Sequence, residues 1–520
     1  MNKIYSRLAF TNIKNNKTLY MPYIISGMVM IAMFYVMMFL NNSKGLGKVP
    51  GAEILVDIMG LGCGIIAIFS YIFLFYTNSF IIKRRKKEVG IYNILGMEKR
   101  HIARVLIIET LTVVLAAIVS GIIAGILFSK LMIMFLYRII NIKAQINFAV
   151  STSAVVNTII IFGVLYFLTL IYNLMQVKLA NPIELLRGGN VGEKEPKSKW
   201  LITIIGLGCL AGGYYIAITT KSPLQVLSLF FVAVLLVIVG TYLLFISGSI
   251  VILKALRKNK KFYYNKKHFA AVSGMIYRMK QNAGGLASIC VLSTMVLVVV
   301  STTVSMYAGM EGELKATLAE IFNLNSSLGE DSVPTMLNNE IDYNLYGSSE
   351  DKLAVAKALD KHFEENSVKS DVSGFYEESR DANREQIYVL YGGLFFIGIF
   401  LGTMFLMVTV MIIFYKQISE GYDDKARYEI MEKVGMSNDE VKKSITSQVR
   451  MVFFLPIILA ACHLAAAFPL LRRLLVMFNL TDIKLIAICM SATFLVFVAI
   501  YYIVFKITSR AYYRIVGNQI

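Results

Sequence analysis

The sequence predicts an all-α polytopic membrane protein of ten transmembrane helices, and three observations predict it. Hydrophobic residues make up 57% and charged residues only 16% of the 520 residues, and the mean hydropathy is +0.64; a soluble chain carries about 25% charge. So few charges cannot cover a soluble body of this size, and the same numbers exclude a disordered chain. Ten apolar runs come near the length of about 20 residues that crosses a bilayer. Finally, Lys and Arg concentrate on alternate connections between those runs, as the positive-inside rule requires.

In chain order the runs cover 20–40, 54–82, 105–131, 155–174, 200–218, 227–253, 286–307, 387–415, 452–471 and 485–505. Residues 1–19 are polar and basic, and no small-residue cleavage pattern follows the first run, so no cleaved signal is expected. With the N-terminus inside, 36 of the 52 Lys and Arg lie on inner segments, and seven of the other 16 fall in one long outer loop. Both termini are therefore expected in the cytoplasm. The net charge of +19 is uneven: 308–386 holds 17 acidic and 7 basic residues. Basic residues beside membrane helices point to orientation and anionic lipid head groups rather than to nucleic acid. Cys63, Cys209, Cys290, Cys462 and Cys489 all sit in apolar runs and read as packing residues.

The chain repeats itself. The loop 83–109 after the second run and the loop 423–448 after the eighth align at an offset of 339, with Gly96-Met97 on Gly435-Met436 and Glu109 on Gln448. The approaches to the first and seventh runs align at 266, with Lys14 on Lys280 and Asn16 on Asn282. The difference locates an insertion between spans 7 and 8. The reading is two four-span repeats, spans 1–4 and 7–10, with spans 5 and 6 joining them. The units are 1–174, a linker with spans 5–6 at 175–253, a cytoplasmic loop with span 7 at 254–307, an extracytoplasmic segment at 308–386, and spans 8–10 at 387–520.

Each repeated loop reads as a short amphipathic helix that stops at a glycine. In the first, Glu88, Val89, Gly90, Ile91, Leu95, Gly96 and Met97 are the candidate contact residues, with Gly96 as a left-handed stop. In the second they are Arg427, Glu429, Ile430, Met431, Val434, Gly435 and Met436, and a new helix is expected to begin at 437–440, where the spacing is that of a capping box. Apolar anchors at i, i+3 and i+4 suit docking into a partner's groove; anchoring on lipid alone does not require two matched copies. The sequence holds no G-x-x-x-x-G-K-[ST] phosphate loop, so any ATPase belongs to another polypeptide.

The pattern R-x-x-E-[VI]-G-[IL]-x-x-x-x-G-M from Arg85 to Met97 resembles the first coupling helix of the FtsX/MacB-like permeases of ABC systems. Stretches 273–296, 419–449 and 453–468 narrow the resemblance to Bce-type permeases of antimicrobial-peptide resistance and sensing modules. The resemblance implies two FtsX-like repeats in a non-catalytic membrane subunit. It implies a homodimeric ABC ATPase partner that binds ATP and Mg, this chain holding no cofactor of its own. A membrane sensor histidine kinase is a further implied partner. The implied substrate is a peptide antibiotic, bacitracin- or lantibiotic-like, or its complex with an undecaprenyl-linked cell-wall lipid. The alternative is a signalling scaffold that regulates a kinase or envelope enzyme without transport. Members of that family carry a larger extracytoplasmic domain than the 79 residues at 308–386 here.

Single residues carry weaker signals. Glu109, one turn into span 3, is expected to hydrogen-bond at the inner membrane edge together with Gln448. Asp57 reads as solvated and His463 as a packing histidine. Gly121 and Gly125 favour close helix contact. Gly392, Gly393, Gly398 and Gly402 are the candidate weak points of span 8, which at 29 residues is about 43 Å long; the other reading is that they admit a neighbouring helix. Residues 351–365 carry apolar positions at helical spacing.

Overall fold

A chain so poor in charge must satisfy its backbone hydrogen bonds within each membrane segment, and a helix does this alone. The computed structural model describes residues 2–43, 52–141, 150–179, 199–220, 223–259, 263, 266–327, 380–433, 438–478 and 480–516. No strand occurs among them. The helices are α1 (Asn2–Asn15), α2 (Lys17–Asn41), α3 (Ala52–Ile94), α4 (Lys99–Ile139), α5 (Thr152–Leu179) and α6 (Trp200–Thr219). α7 (Pro223–Leu243) passes through a π turn at Leu244–Gly248 into α8 (Ser249–Lys258). α9 (Lys266–Ser327), α10 (Arg380–Lys433), α11 (Asn438–Val476) and α12 (Ile483–Val516) complete the chain. Among the described residues ten segments are long and apolar enough to cross a membrane, and each overlaps one of the ten runs read from the sequence.

The packing falls into two groups and a pair. In the first group α2 packs chiefly on α4 and then on α3; in the second, α9 packs chiefly on α10 and then on α11. α3 and α4 barely touch each other, and neither do α10 and α11. α6 and α7 pack on one another and lie against α9 and α11. α10 joins the groups, touching α3, α4 and α2 as well as α9 and α12. Aromatic pairs mark that seam, with Phe69 and Phe405 at 4.6 Å and Phe80 and Tyr415 at 5.6 Å between ring centroids.

One sequence reading changes. The coupling segment after span 2 is no separate short helix lying beneath the bilayer. α3 runs unbroken for 43 residues, about 65 Å at 1.5 Å per residue, because no proline falls between Ile82 and Ile94, the single Gly90 is buried, and the Arg85–Glu88 pair one turn apart supports the helix. α10 likewise continues from the membrane to Lys433, and α11 starts at Asn438 as expected. The glycines of α10 are points of close approach. A β-carbon at Gly392 would meet the Ile139 carbonyl oxygen at 3.2 Å; at Gly393 it would meet Leu55, at Gly398 Thr303 and at Gly402 Val300. The helix runs through all four without a break. The helix expected at 351–365 lies outside the described residues.

Gly121 and Gly125 let α4 meet α2: a β-carbon there would sit 2.7 Å from Ile31 and 2.7 Å from Tyr35 respectively. At Gly163 on α5 nothing lies within 4 Å of such an atom. Gly121→Ala should therefore cost about 1–3 kcal/mol through overpacking, while Gly163→Ala should raise stability by up to about 1 kcal/mol through helix propensity. Thermal unfolding of the two variants in lipid nanodiscs checks the opposite signs.

Candidate functional site

Glu109 sits on the first turns of α4 with 2% of its surface exposed, and its charge has to be met inside the protein. Arg85 of α3, 3% exposed, meets it with its Nη1. Asn12 Nδ2 of α1 donates to Oε1 at 2.8 Å, and Tyr20 OH of α2 donates to Oε2 at 3.3 Å. Arg85 Nη1 also donates to Tyr20 OH at 2.6 Å, and Arg85 Nε to Glu88 Oε2 at 3.2 Å. One carboxylate thus gathers four helices. The sequence expectation for Glu109 was a hydrogen-bonded role without these partners named, and the side chain of Gln448 lies outside the described residues.

Beyond Arg85 the helix carries the candidate coupling residues. Glu88 is held by Asn16 Nδ2 at 3.2 Å as well as by Arg85. Val89 turns inward to pack with Ile102 and Val177, and Tyr92 and Met97 close the same cluster. Gly90 is buried, whereas Ile91, Ile94 and Leu95 are 49%, 61% and 75% exposed. The helix then stops. Gly96 takes φ +91°, its N–H bonds Asn93 O at 3.1 Å, and the Met97 N–H bonds Tyr92 O at 3.0 Å. This is a Schellman closure, with the Tyr92–Met97 apolar contact that accompanies it. Its result is an apolar triplet at i, i+3 and i+4 on the tip of a rigid helix.

The second group builds a different cluster at the matched end. Arg278 of α9 pairs with Asp424 of α10, which also accepts from Tyr512 OH at 2.8 Å. Asn282 Nδ2 donates to Glu420 Oε1 at 2.6 Å, and Lys416 Nζ lies 3.7 Å from that oxygen. Burial alone would lower the Arg278 pKa, but Asp424 and Glu420 outweigh it and hold the guanidinium above its usual value. Arg427, Glu429, Ile430 and Met431 lie on the last turns of α10. Val434, Gly435 and Met436 lie outside the described residues. Of the two groups of sequence-predicted contact residues, the structure thus displays the first in full.

Two small cavities lie beside these clusters. One, of about 30 Å³, is lined by Tyr20, Tyr23, Asn78, Ile81, Thr110 and Val113 among others. The other, of about 10 Å³, is lined by Leu286, Ile289, Gln417, Glu420, Val449 and Val452 among others. These are the same positions displaced by 266 residues for the first two and 339 for the rest. Asn78 and Asn173 exchange hydrogen bonds at 2.7 and 2.9 Å, whereas both amide atoms of buried Gln417 find no partner among the described residues. His463 bridges Tyr214 OH of α6 at 2.6 Å and Thr241 Oγ1 of α7 at 3.0 Å, a packing role. Asp57 is exposed. Among the described residues no group of His, Cys, Asp or Glu is placed to hold a metal ion.

Residues 61–182, which cover most of α3 with α4 and α5, match the family described as FtsX-like permease C-terminal. The uncharacterized ABC transporter permease YvcS of Bacillus subtilis (strain 168) is 28% identical over 320 residues, 60% of this chain and 49% of its own. The bacitracin export permease protein BceB of the same organism is 27% identical over 331 residues, 61% of this chain and 51% of its own. The ABC transporter permease protein YxdM, also of Bacillus subtilis, is 22% identical over 593 aligned residues, 88% of this chain and 92% of its own. The first two alignments span about half the length of those relatives. Residues 61–182 are thus similar to an FtsX-like permease domain, and the chain, with ten candidate membrane spans among its described residues, is similar to permeases of ABC transporters.

Removing one partner of a buried ion pair leaves the other uncompensated, at a cost of about 3–5 kcal/mol, whereas replacing both with apolar residues is often near neutral. Glu109→Ala should destabilise the protein accordingly. The double variant Arg85→Met/Glu109→Leu should recover most of the loss. A double-mutant cycle read by thermal unfolding in nanodiscs checks both.

Proposed function

We propose that this chain is the transmembrane subunit of an ATP-driven machine whose ATPase is a separate homodimer, and that Ile91, Ile94 and Leu95 form one of its two docking points. The single observation that carries the reading is the exposed apolar triplet on the tip of a helix that continues a membrane span and is braced by buried charge. Lipid does not call for a rigid, glycine-stopped tip; a groove on a folded partner does. Ile430 and Val434, at the positions matched to Ile91 and Leu95, form the second point together with Met431, and Lys433 stands where the first copy has Ile94. ATP and Mg belong to the partner, and this chain hydrolyses nothing.

The substrate reading follows the relatives. A bacitracin export permease is among them, so a peptide antibiotic, or its complex with an undecaprenyl-linked lipid, is proposed as the species handled at the cell membrane. A membrane sensor histidine kinase as lateral partner and both termini in the cytoplasm are proposed on the family resemblance and on the distribution of Lys and Arg. Span 8 is the proposed transmitter. Gly392, Gly393, Gly398 and Gly402 seat it against α3, α4 and α9, so movement at its inner end is passed to those neighbours.

Charge reversal at Glu88 tests this poorly, because Glu88 already serves Asn16 and Arg85. Ile91→Glu/Leu95→Glu changes only exposed side chains. It should weaken binding of the purified ATPase about thirtyfold, the effect of losing an interface anchor, with unchanged thermal stability. Gly96→Ala, strained at positive φ, should lower binding less. Unaltered binding in both variants, or a Leu95→Cys cross-linker that never reaches the ATPase, removes the docking assignment.

A further inference from the structure

The first group of helices buries one cation and one anion at its basic end and the second buries two of each, and the ion pair that joins two helices sits on different helices in the two groups. At the offsets of 266 and 339, Asn12 matches Arg278, Arg85 matches Asp424 and Glu109 matches Gln448. The two cavities lined by matched residues support that correspondence independently of the clusters themselves. In the first group the cation is on α3 and the anion on α4, so the ion pair spans the loop between them, which contains the exposed tip. In the second group the cation has moved to α9 and the anion to α10. Gln448, at the position of Glu109, carries no charge with which α11 can repeat the first arrangement.

We propose that Arg85 and Glu109 are positioning residues that clamp the first coupling segment to the helix that follows it, whereas Arg278 and Asp424 strap the second to the helix that precedes it. The two contact points are then stiff in different senses. The first is a fixed seat: its loop is closed at the base by a buried charge pair, and closing a loop at both ends removes its freedom to open locally. The second moves as one body with α9 and α10, because Arg278–Asp424 and Asn282–Glu420 join those two helices at their inner ends, and Tyr512 adds α12 to the same joint. The significance of this inequality for ATP coupling rests on the docking reading above; the clamp and the strap do not.

Hydrogen–deuterium exchange of the full-length chain in nanodiscs, without any ATPase, tests the proposal. Glu109→Gln should speed exchange at 93–104 by about tenfold or more, as expected for a lost local closure. Asp424→Asn should speed exchange at 275–282 and leave 438–446, the start of α11, at its original rate. Faster exchange at 438–446 in Asp424→Asn, or an unchanged rate at 93–104 in Glu109→Gln, overturns it. The triple variant Asn12→Arg/Arg85→Asp/Glu109→Gln gives the first group the counterparts of Arg278, Asp424 and Gln448. It should fold, and 93–104 should still exchange fast. Failure of the triple variant to fold, or a wild-type rate at 93–104, also overturns the proposal. A failed ATPase-binding experiment at Leu95 leaves these rates untouched, so the two readings fail separately.

Discussion

A carboxylate placed inside a helix bundle must find both its counter-charge and its hydrogen bonds in protein, because lipid offers neither and the cost of an unmet charge is several kcal/mol. Glu109 imposes that condition on the first group of helices. Arg85 can answer it only if α3 persists as a helix beyond its apolar run, so that the guanidinium reaches inward to the start of α4. Once α3 has been extended that far, three more turns carry Ile91, Ile94 and Leu95 clear of the bundle, and Gly96 ends the helix where the chain must reverse. The position of the exposed tip is therefore a consequence of the buried pair. Asn12 and Tyr20 complete the set of acceptor and donor contacts and fix α1 and α2 against the same end.

The ten spans were legible because hydropathy over some twenty residues is a property of composition and needs no knowledge of neighbours. The stop at Gly96 was legible for a related reason, since only a residue without a β-carbon accepts that backbone conformation at no cost. The join between span 2 and the coupling segment was not. A Lys- and Arg-rich run ends the apolar signal without ending the helix, and hydropathy registers only the former. Nor did Glu109 disclose Arg85, although both were in view. They are 24 residues apart on helices that barely touch elsewhere, and no periodicity within one helix encodes such a pairing. The Arg278–Asp424 pair, 146 residues apart, is likewise encoded by no periodicity within one helix, although its alignment with Asn12 and Arg85 is a sequence-level sign that the charges differ between the copies.

The glycines of α10 illustrate how one pattern serves two readings until packing decides. A missing side chain weakens an isolated helix, but in a bundle it also lets a neighbour approach, and small residues are favoured at such contacts. Here the neighbours are present: Gly392 and Gly393 receive α4 and α3 from the first group, and Gly398 and Gly402 receive α9. A helix gripped on successive turns from two sides has little freedom to bend between them.

α9 and α10 are 62 and 54 residues long, about 93 and 81 Å at 1.5 Å per residue, each well beyond a hydrocarbon core of about 30 Å. They share the most extensive contact in the structure, joined by charge and amide pairs at one end, by the glycine contacts through the middle, and by Tyr307 stacked on Phe395 at 4.6 Å beyond them. Two helices fixed to each other at three levels resist shear as well as bending, so a displacement imposed at Asp424 is shared by both helices before it reaches the far side. In the first group Arg85 also bonds Tyr20 of α2, but α2 is committed mainly to α4 and the buried ion pair itself ties α3 to α4. In the proposed reading, transmission along the molecule follows from where the buried pair sits. The inter-helix ion pair lies between α3 and α4 in one group and between α9 and α10 in the other, and that is the difference on which the proposed seat and strut are argued.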